Sequence, residues 1–555
     1  MELIAKPAAG THEVENQAPP LVDYDLFWAD AVLREAVAAG DAAWASAMLS
    51  ELGKRAGSAE AIAWGFEANR NAPELRAFDR YGHRVDEVVY HPSYHRLMEV
   101  ATGSGLHSSS WSEPRPGAHV ARAAGFFVWS QADAGHGCPI SMTHAAVPVL
   151  RRQPDLARVW EPLIFARRYD GALRPAAEKG SALFGMALTE KQGGSDVRAN
   201  TTRATPAGAG GPGAEYVLGG HKWFCSAPMS DAFLVLAQAP GGLSCFLVPR
   251  VLPDGTRNPF ALQRLKDKLG NRSNASSEVE FDGTLGWLVG EEGRGVAVIV
   301  EMVNFTRLDC ALGAASGMRQ AVAQAVHHAA YRRAFGKLLI DQPLMRNVLA
   351  DLALESEAAT RLCLRLAQAC DRAERDPHEA HVKRLGTALA KFWICKRAPA
   401  HAAEALECLG GNGYVEESIM PRLYREAPLN SIWEGSGNVN ALDVLRALRK
   451  EPGVLDAFFT EVARAEGADS RLDAATSRLS RELARGDIAE ARARRIVEDM
   501  ALVLCGALVV RAGPAEVADA YCASRLGGDW GRTFGTLPLD ANMQAIVERA
   551  RPAPP

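Results

Sequence analysis

Between two stretches of helical periodicity the chain carries a block of short β-rich runs, and this change of texture constrains its fold more than any other feature. Glu215-Tyr-Val-Leu, Ala232-Phe-Leu-Val-Leu, Cys245-Phe-Leu-Val and Glu278-Val-Glu-Phe are separated by Gly, Pro, Ser and Asp, the pattern of strands joined by turns. They predict a small antiparallel sheet domain over residues 181–290. Before it, Ala-rich segments such as DAVLREAVAAGDAAWASAML, broken by turn signals at HPSYH and SEPRPGAH, predict an N-terminal helical domain over 1–180, helical from about Leu26 to Lys179. After it, long Ala/Leu/Arg segments, with Leu344, Val348 and Leu352 at helical spacing, predict a helical bundle over 291–450. An Ala/Arg-rich stretch over 451–555, ending at Arg551-Pro-Ala-Pro-Pro, predicts a helical extension. The expected fold class is α+β, mainly α.

A chain of 555 residues has room for about three to four domains. Its 48% hydrophobic and 23% charged residues are the balance of a globular protein and exclude a disordered or fibrous one. The formal net charge of −4 gives no overall attraction to nucleic acid or anionic membrane, so such binding needs a local patch. The start, MELIAKPAAGTHEVENQAPP, lacks the apolar core of a secretory signal, and no later run reaches the ~20 apolar residues of a membrane span. The expectation is a cytoplasmic protein without a membrane partner. Ten scattered cysteines, without CxxC or Cys/His clusters, read as buried thiols and predict no metal site.

Four segments carry candidate chemistry. In Gly185-Met-Ala-Leu-Thr-Glu-Lys-Gln-Gly-Gly-Ser-Asp196, Thr189 and Ser195 offer hydroxyls, and Gly193-Gly194 let backbone N–H groups approach a ligand. In Gly220-His-Lys-Trp-Phe-Cys-Ser226, aromatic residues beside a small hydroxyl can wall a flat ring and hydrogen-bond its edge. In Arg332-Arg-Ala-Phe-Gly336, paired guanidinium donors suit a pyrophosphate. The fourth and most informative runs from Glu407-Cys-Leu-Gly-Gly-Asn-Gly-Tyr414 to Asn430-Ser-Ile-Trp-Glu-Gly-Ser-Gly-Asn438. Packed against Trp433, the Glu434 carboxylate would have its charged form disfavoured and its pKa raised towards that of a general base. Each segment alone also fits a plain turn, a core strand, a helix C-terminus or a solvated loop.

In order and spacing these segments resemble the acyl-CoA dehydrogenase family from about Gly185 to Leu448. That resemblance implies an N-terminal helical domain, a middle β-barrel-like sheet domain and a C-terminal four-helix bundle enclosing FAD and a thioester. Ile432-Trp-Glu-Gly-Ser is similar to the family's aromatic-Glu-Gly-Thr/Ser segment, which implies that Glu434 abstracts the substrate's α-proton while hydride passes from the β-carbon to flavin. It also implies FAD contacts at Met186, Leu188, Thr189, Gly194, Ser195, Phe224, Cys225, Ser226, Trp433, Gly435, Ser436 and Asn438. Arg332, Phe335, Gly410 and Gly411 would reach FAD held by a neighbouring subunit, implying a homo-oligomer. The chain departs from the family pattern at Glu407 and Pro343, where Gln is usual.

The segments Arg264-Leu-Lys-Asp-Lys-Leu-Gly-Asn-Arg-Ser-Asn-Ala-Ser and Arg422-Leu-Tyr-Arg-Glu, with the C-terminal extension, are similar to one branch of that family. Its members are tetrameric flavoproteins induced by DNA alkylation, with weak dehydrogenase activity and a DNA-binding C-terminal region. The resemblance therefore implies a short or branched acyl-CoA as substrate. Its alternative is a weakly catalytic or non-catalytic flavoprotein that protects double-stranded DNA without strong sequence specificity. From Glu451 onward thirteen arginines and no lysine face sixteen acidic residues, a net of three negative charges. Within that stretch Arg478, Arg481, Arg485, Arg492, Arg494 and Arg495 outnumber Glu482, Asp487 and Glu490, a local stripe able to meet phosphates. A salt-bridged, solvated helix surface is an equal reading of it.

Overall fold

The computed structural model describes residues 10–486 and 488–552. The first nine residues of the leader reading, Asp487 of the arginine-rich stretch, and the terminal Ala553-Pro-Pro lie outside them. Helices fill Ala31–Phe165, with one interruption that sequence periodicity missed. Strands β1 (Glu74–Phe78) and β2 (Arg84–Val89) form an antiparallel hairpin. Its turn is closed by Asp79, whose Oδ1 accepts from Tyr81 N at 2.8 Å and His83 N at 2.9 Å, the local bond by which Asp competes with helix.

The middle sheet contains β3 (Phe184–Ala187), β4 (Arg203–Pro206), β5 (Glu215–Ser226), β6 (Ala232–Ala239), β7 (Gly242–Pro249), β8 (Phe260–Leu265) and β9 (Ser276–Val289). Neighbours run β3-β6-β4-β5-β9-β7, and β6 also pairs β7, so β6, β4, β5, β9 and β7 close into a ring. Closure removes exposed sheet edges. Two pairings, β3 with β6 and β4 with β6, are parallel, where the short-strand pattern predicts an antiparallel sheet. Along β5 exposed and buried residues alternate, with Tyr216 and Leu218 fully buried.

Four helices follow: Gly295–Tyr331, Pro343–Arg372, Pro377–Glu407 and Gly437–Lys450. Pro343 and Pro377 each occupy a first helical turn, where the missing N–H has no intrahelical partner to lose. That explains Pro343 locally. Of the three residues expected on one buried face, Leu352 is fully buried and Val348 partly so, whereas Leu344 in the first turn is 83% exposed.

The extension, helical at Val454–Ala463, Ser470–Leu483, Ala493–Ala512, Ala515–Tyr521 and Met543–Ala550, is pinned to the bundle by buried ion pairs. Arg525, with no exposed side-chain surface, pairs with Asp351 and, at 3.0 Å, with Glu355. Arg365 lies between Glu379 at 2.7 Å and Glu461 at 2.9 Å. Arg549 joins Glu35 at 2.6 Å and Glu357 at 2.9 Å. Among the described residues no helix is long and apolar enough to cross a membrane. Replacing Arg525 by Met strands two buried carboxylates, a loss of about 3–5 kcal/mol. The expected outcome is a lower thermal midpoint together with proteolytic release of residues beyond Glu451, and an unchanged midpoint would refute this docking role.

Candidate active site

The segment carrying Glu434 is a turn between the third and fourth bundle helices, and its backbone is left-handed at two successive residues, φ 57° at Glu434 and 95° at Gly435. Glycine accepts this conformation freely; glutamate adopts it at a cost of roughly 1–2 kcal/mol. Buried cations hold it there. The Lys391 ammonium, 1% exposed, donates to the Asn430 carbonyl at 2.5 Å and the Gly435 carbonyl at 3.3 Å. Arg307 Nε donates to the Glu434 carbonyl at 2.9 Å, and its NH1 pairs with Asp443 at 2.8 Å. Asn440 Nδ2 donates to the carbonyls of Gly435 at 2.7 Å and Ser436 at 3.1 Å. Three helices thus fix one loop.

The Glu434 carboxylate is half-buried. Its Oε2 accepts from Thr306 Oγ1 at 2.8 Å, and no protein donor reaches Oε1 among the described residues. Burial raises the pKa of this group above the ordinary carboxylate value, and the Thr306 hydroxyl, Lys391 and Arg307 pull partly the other way. The result is a carboxylate that ionises yet gains by taking a proton. Trp433 Nε1 donates to Asn430 Oδ1 at 3.1 Å, which fixes the indole against the same loop.

On the sheet side, Met186 lies on β3, and Leu188, Thr189, Gly194 and Ser195 lie on the loop after it. The loop is anchored by Glu190, a fully buried carboxylate that accepts from Lys222 Nζ at 2.8 Å, Thr201 N at 2.7 Å and Thr202 N at 3.1 Å. Burial alone would raise Glu190; these donors override it and hold the carboxyl well below its usual range. A Cβ on Gly194 would lie 2.5 Å from Thr189 Oγ1, so glycine there keeps the hydroxyl in place. The link to β5 is Trp223 N donating to the Thr189 carbonyl at 2.8 Å. At the end of β5, Phe224 is 50% exposed and Ser226 half-buried, whereas Cys225 is turned fully inward, its carbonyl accepting from Ser277 Oγ at 2.9 Å. The Cys138 thiol, pushed up to about 12 by burial, is near enough to feel both Ser226 and the Glu434 charge, which puts the end of β5 and the carboxylate in one neighbourhood.

The remaining expected residues form a second group. The Gly295–Tyr331 helix ends at the Arg332 cap and continues into a tight hairpin, with Phe335 at φ 51°, Gly336 at φ 79° and the Phe335 ring 99% exposed. Arg332 NH1 donates to the Asn16 carbonyl at 2.5 Å. Gly410, at φ 59°, and Gly411 begin the turn after the Pro377–Glu407 helix, where Asn412 bonds Gln17 at 3.2 Å. Both turns are therefore tied to the 16–17 segment. No hydrogen bond joins them to Glu434 among the described residues. Ser436 and Asn438, both exposed, flank the start of the Gly437–Lys450 helix.

Motif reading missed Thr306, Arg307, Lys391 and Asn440. The one available signal was Lys391 itself, a lone cation inside the apolar run Leu389-Ala-Lys-Phe-Trp-Ile.

Comparison with known proteins matches this geometry to sequence families. The profile of the adaptive response protein AidB N-terminal domain matches residues 16–171, that of the acyl-CoA dehydrogenase middle domain 185–284, and that of its C-terminal domain 293–449. The chain is 49% identical to AidB of Escherichia coli strain K12 over 514 residues, 92% of this chain and 94% of that one. It resembles the crystal structure of Caenorhabditis elegans ACDH-11 in complex with C11-CoA at a TM-score of 0.86 and 27% identity, covering 94% of this chain and 95% of that one. An acyl-CoA dehydrogenase complexed with FAD from Bacillus anthracis shares the fold at a TM-score of 0.63 and 18% identity, with 82% of each chain covered. Fold and site together define an oxidoreductase of the acyl-CoA dehydrogenase class, acting on CH–CH groups. The chain belongs to the AidB branch of the acyl-CoA dehydrogenase family.

Substituting Met for Lys391 leaves the Asn430 carbonyl without its buried donor, about 1–3 kcal/mol, and leaves the Gly435 carbonyl to Asn440 alone. Amides of residues 430–436 are then expected to exchange with deuterium faster than in the parent protein, while those of β6 keep their protection. Unchanged exchange in the loop would remove Lys391 as its clamp.

Proposed function

We propose that the protein is an FAD-dependent acyl-CoA dehydrogenase in which Glu434 removes the α-proton of a thioester. The observation that carries this reading is the clamped, strained loop that presents a half-buried carboxylate of raised pKa, held by Thr306 and Arg307. FAD, when bound, supplies the acceptor for the hydride leaving the β-carbon. The residues fit such a group. Phe224 leaves half its ring uncovered at the end of a well-packed strand, and Thr189, Ser195 and Ser226 offer hydroxyls with the Gly193-Gly194 backbone between them. Met186, Leu188 and Trp433 add apolar surface, while Gly435, Ser436 and Asn438 continue the rim; Cys225 can take part only through its backbone. Arg332, Phe335, Gly410 and Gly411 would serve a neighbouring subunit's cofactor, a role that fits the fully exposed Phe335 ring and a homotetramer.

In this reading Thr306 holds Oε2, so proton transfer falls to Oε1, and Arg307 and Lys391 stabilise the ionised base before reaction. The substrate is a short or branched acyl-CoA; the C11-CoA in the ACDH-11 complex extends the panel worth testing to medium chains. Ten free cysteines suit a cytoplasmic, reducing setting.

Anaerobic mixing of the FAD-loaded protein with such a panel should bleach the flavin band. Glu434→Gln should slow bleaching by about 10²–10⁴-fold, the usual worth of a general base, with FAD content unchanged; bleaching at the parent rate would exclude Glu434 as base. Thr306→Val removes a bond that favours the charged carboxylate, so the Glu434 pKa rises further. Because the ionised form is the base, the rising limb of kcat/KM against pH should move to higher pH, and a limb that stays or moves down would refute this role for Thr306.

A second reading, DNA binding in an alkylation response, is favoured by one observation. Arg478, Arg492 and Arg495, with Arg471 and Arg525, line a cleft of about 930 Å³ in the extension. Against it, Arg492 is paired with Glu482 at 2.6 Å and Arg495 with Asp499 at 3.0 Å. Arg481, Arg485 and Arg494 are exposed outside that lining. If phosphates replace these acids, Ala at 478, 492 and 495 together should flatten the salt dependence of duplex binding by about 2.7 in slope. An unaltered slope would remove the cleft from DNA binding.

A further inference from the structure

Lys268, in the connection between β8 and β9, is a half-buried lysine outside the expected set of site residues. Its Nζ donates to the Asn274 carbonyl at 2.7 Å and to Ser276 Oγ at 3.1 Å. Ser276 Oγ in turn lies 3.0 Å from Ser226 Oγ, the two residues being register partners where β5 and β9 meet. Ser226 is the hydroxyl assigned above to the flavin edge, and the present inference rests on that reading.

The direction of this chain of hydrogen bonds follows from what each group can do. An ammonium has only donors. Burial lowers the Lys268 pKa only to about 8, so the cation predominates at neutral pH. Ser276 must therefore accept from Lys268, and its own proton is left for its other hydroxyl partner, Ser226 Oγ. Ser226 then accepts, and its proton points out of the pair. The Cys138 thiol, a weak acceptor, is a further neighbour of Ser226 and lies in the field of both Lys268 and Glu434. The heteroatoms at the edge of an oxidised isoalloxazine, apart from its one N–H, are acceptors.

We propose that Lys268 is a positioning residue that, through Ser276, orients the Ser226 hydroxyl as a hydrogen-bond donor to bound oxidised FAD. Without the cation, the Ser226–Ser276 pair is free to reverse: Ser226 donates inward and turns a lone pair towards acceptor atoms. Removing Ser276 as well deletes the inward acceptor, so Ser226 again donates outward. A lysine that acted only by its charge, or only by bracing the Asn274 loop, would not show this recovery.

The test measures the affinity of the full-length protein for oxidised FAD by quenching of flavin fluorescence, beside the visible spectrum of the bound form. One neutral hydrogen bond corresponds to roughly a two- to tenfold change in Kd. Lys268→Met should weaken binding by that factor, Lys268→Arg should keep parent affinity, and Lys268→Met with Ser276→Ala should restore it. Should Lys268→Met fail to fold, Ser276→Ala and Ser226→Ala carry the test: the first should bind FAD as the parent does, the second should lose the same factor. Parent affinity in Lys268→Met, no recovery in the double variant, or a loss in Ser276→Ala would each overturn the relay while leaving the flavin reading intact. A parent protein that takes up no FAD would overturn the flavin reading and the relay with it.

Discussion

One buried ammonium and one buried guanidinium, fastened to backbone carbonyls, decide where the reactive carboxylate stands. Lys391 and Arg307 bind the carbonyls of Asn430, Glu434 and Gly435 and neutralise part of the cost of placing Glu434 in a poorly solvated position. Each contact serves geometry and electrostatics at once. The bond that fixes the loop also tempers the rise in basicity that burial causes, so neither function is separable from the packing of the helices that carry the cations. Asp443 extends the arrangement, since it holds Arg307 and Arg384 together.

Much of the site was legible in the sequence because its pieces are local. The Gly193-Gly194 turn, the aromatic-hydroxyl strand end and the Trp433-Glu434-Gly435 tripeptide announce themselves by residue type over a few positions. The partners that tune them come from other helices and have no fixed spacing to the loop, which is why Thr306 and Arg307 passed unnoticed. Lys391 could have been suspected, because an uncompensated cation in an apolar helical run must find acceptors.

The fold shows the same division. Strand runs were recognisable, yet ring closure through β6 pairing with both β4 and β7 depends on contacts between distant segments that no short window contains. The hairpin at Glu74–Val89 was hidden because two runs of five and six residues are brief beside the Ala-rich helices around them, and Leu344 shows that periodicity alone does not say where a buried face begins. The extension looked like an appendage of low net charge. In three dimensions its arginines divide between two tasks: Arg525 and Arg549 hold it to the bundle, and Arg478, Arg492 and Arg495 border its open cleft.

The left-handed backbone at position 434 has an evolutionary reading. The residue best suited to that conformation is glycine, the amino acid that abolishes the carboxylate, with a gain of up to about 1–2 kcal/mol of robustness. Lineages released from selection for proton abstraction would therefore drift readily towards inert, sturdier descendants. A glutamate carried here against that backbone cost is what the proposed proton abstraction demands.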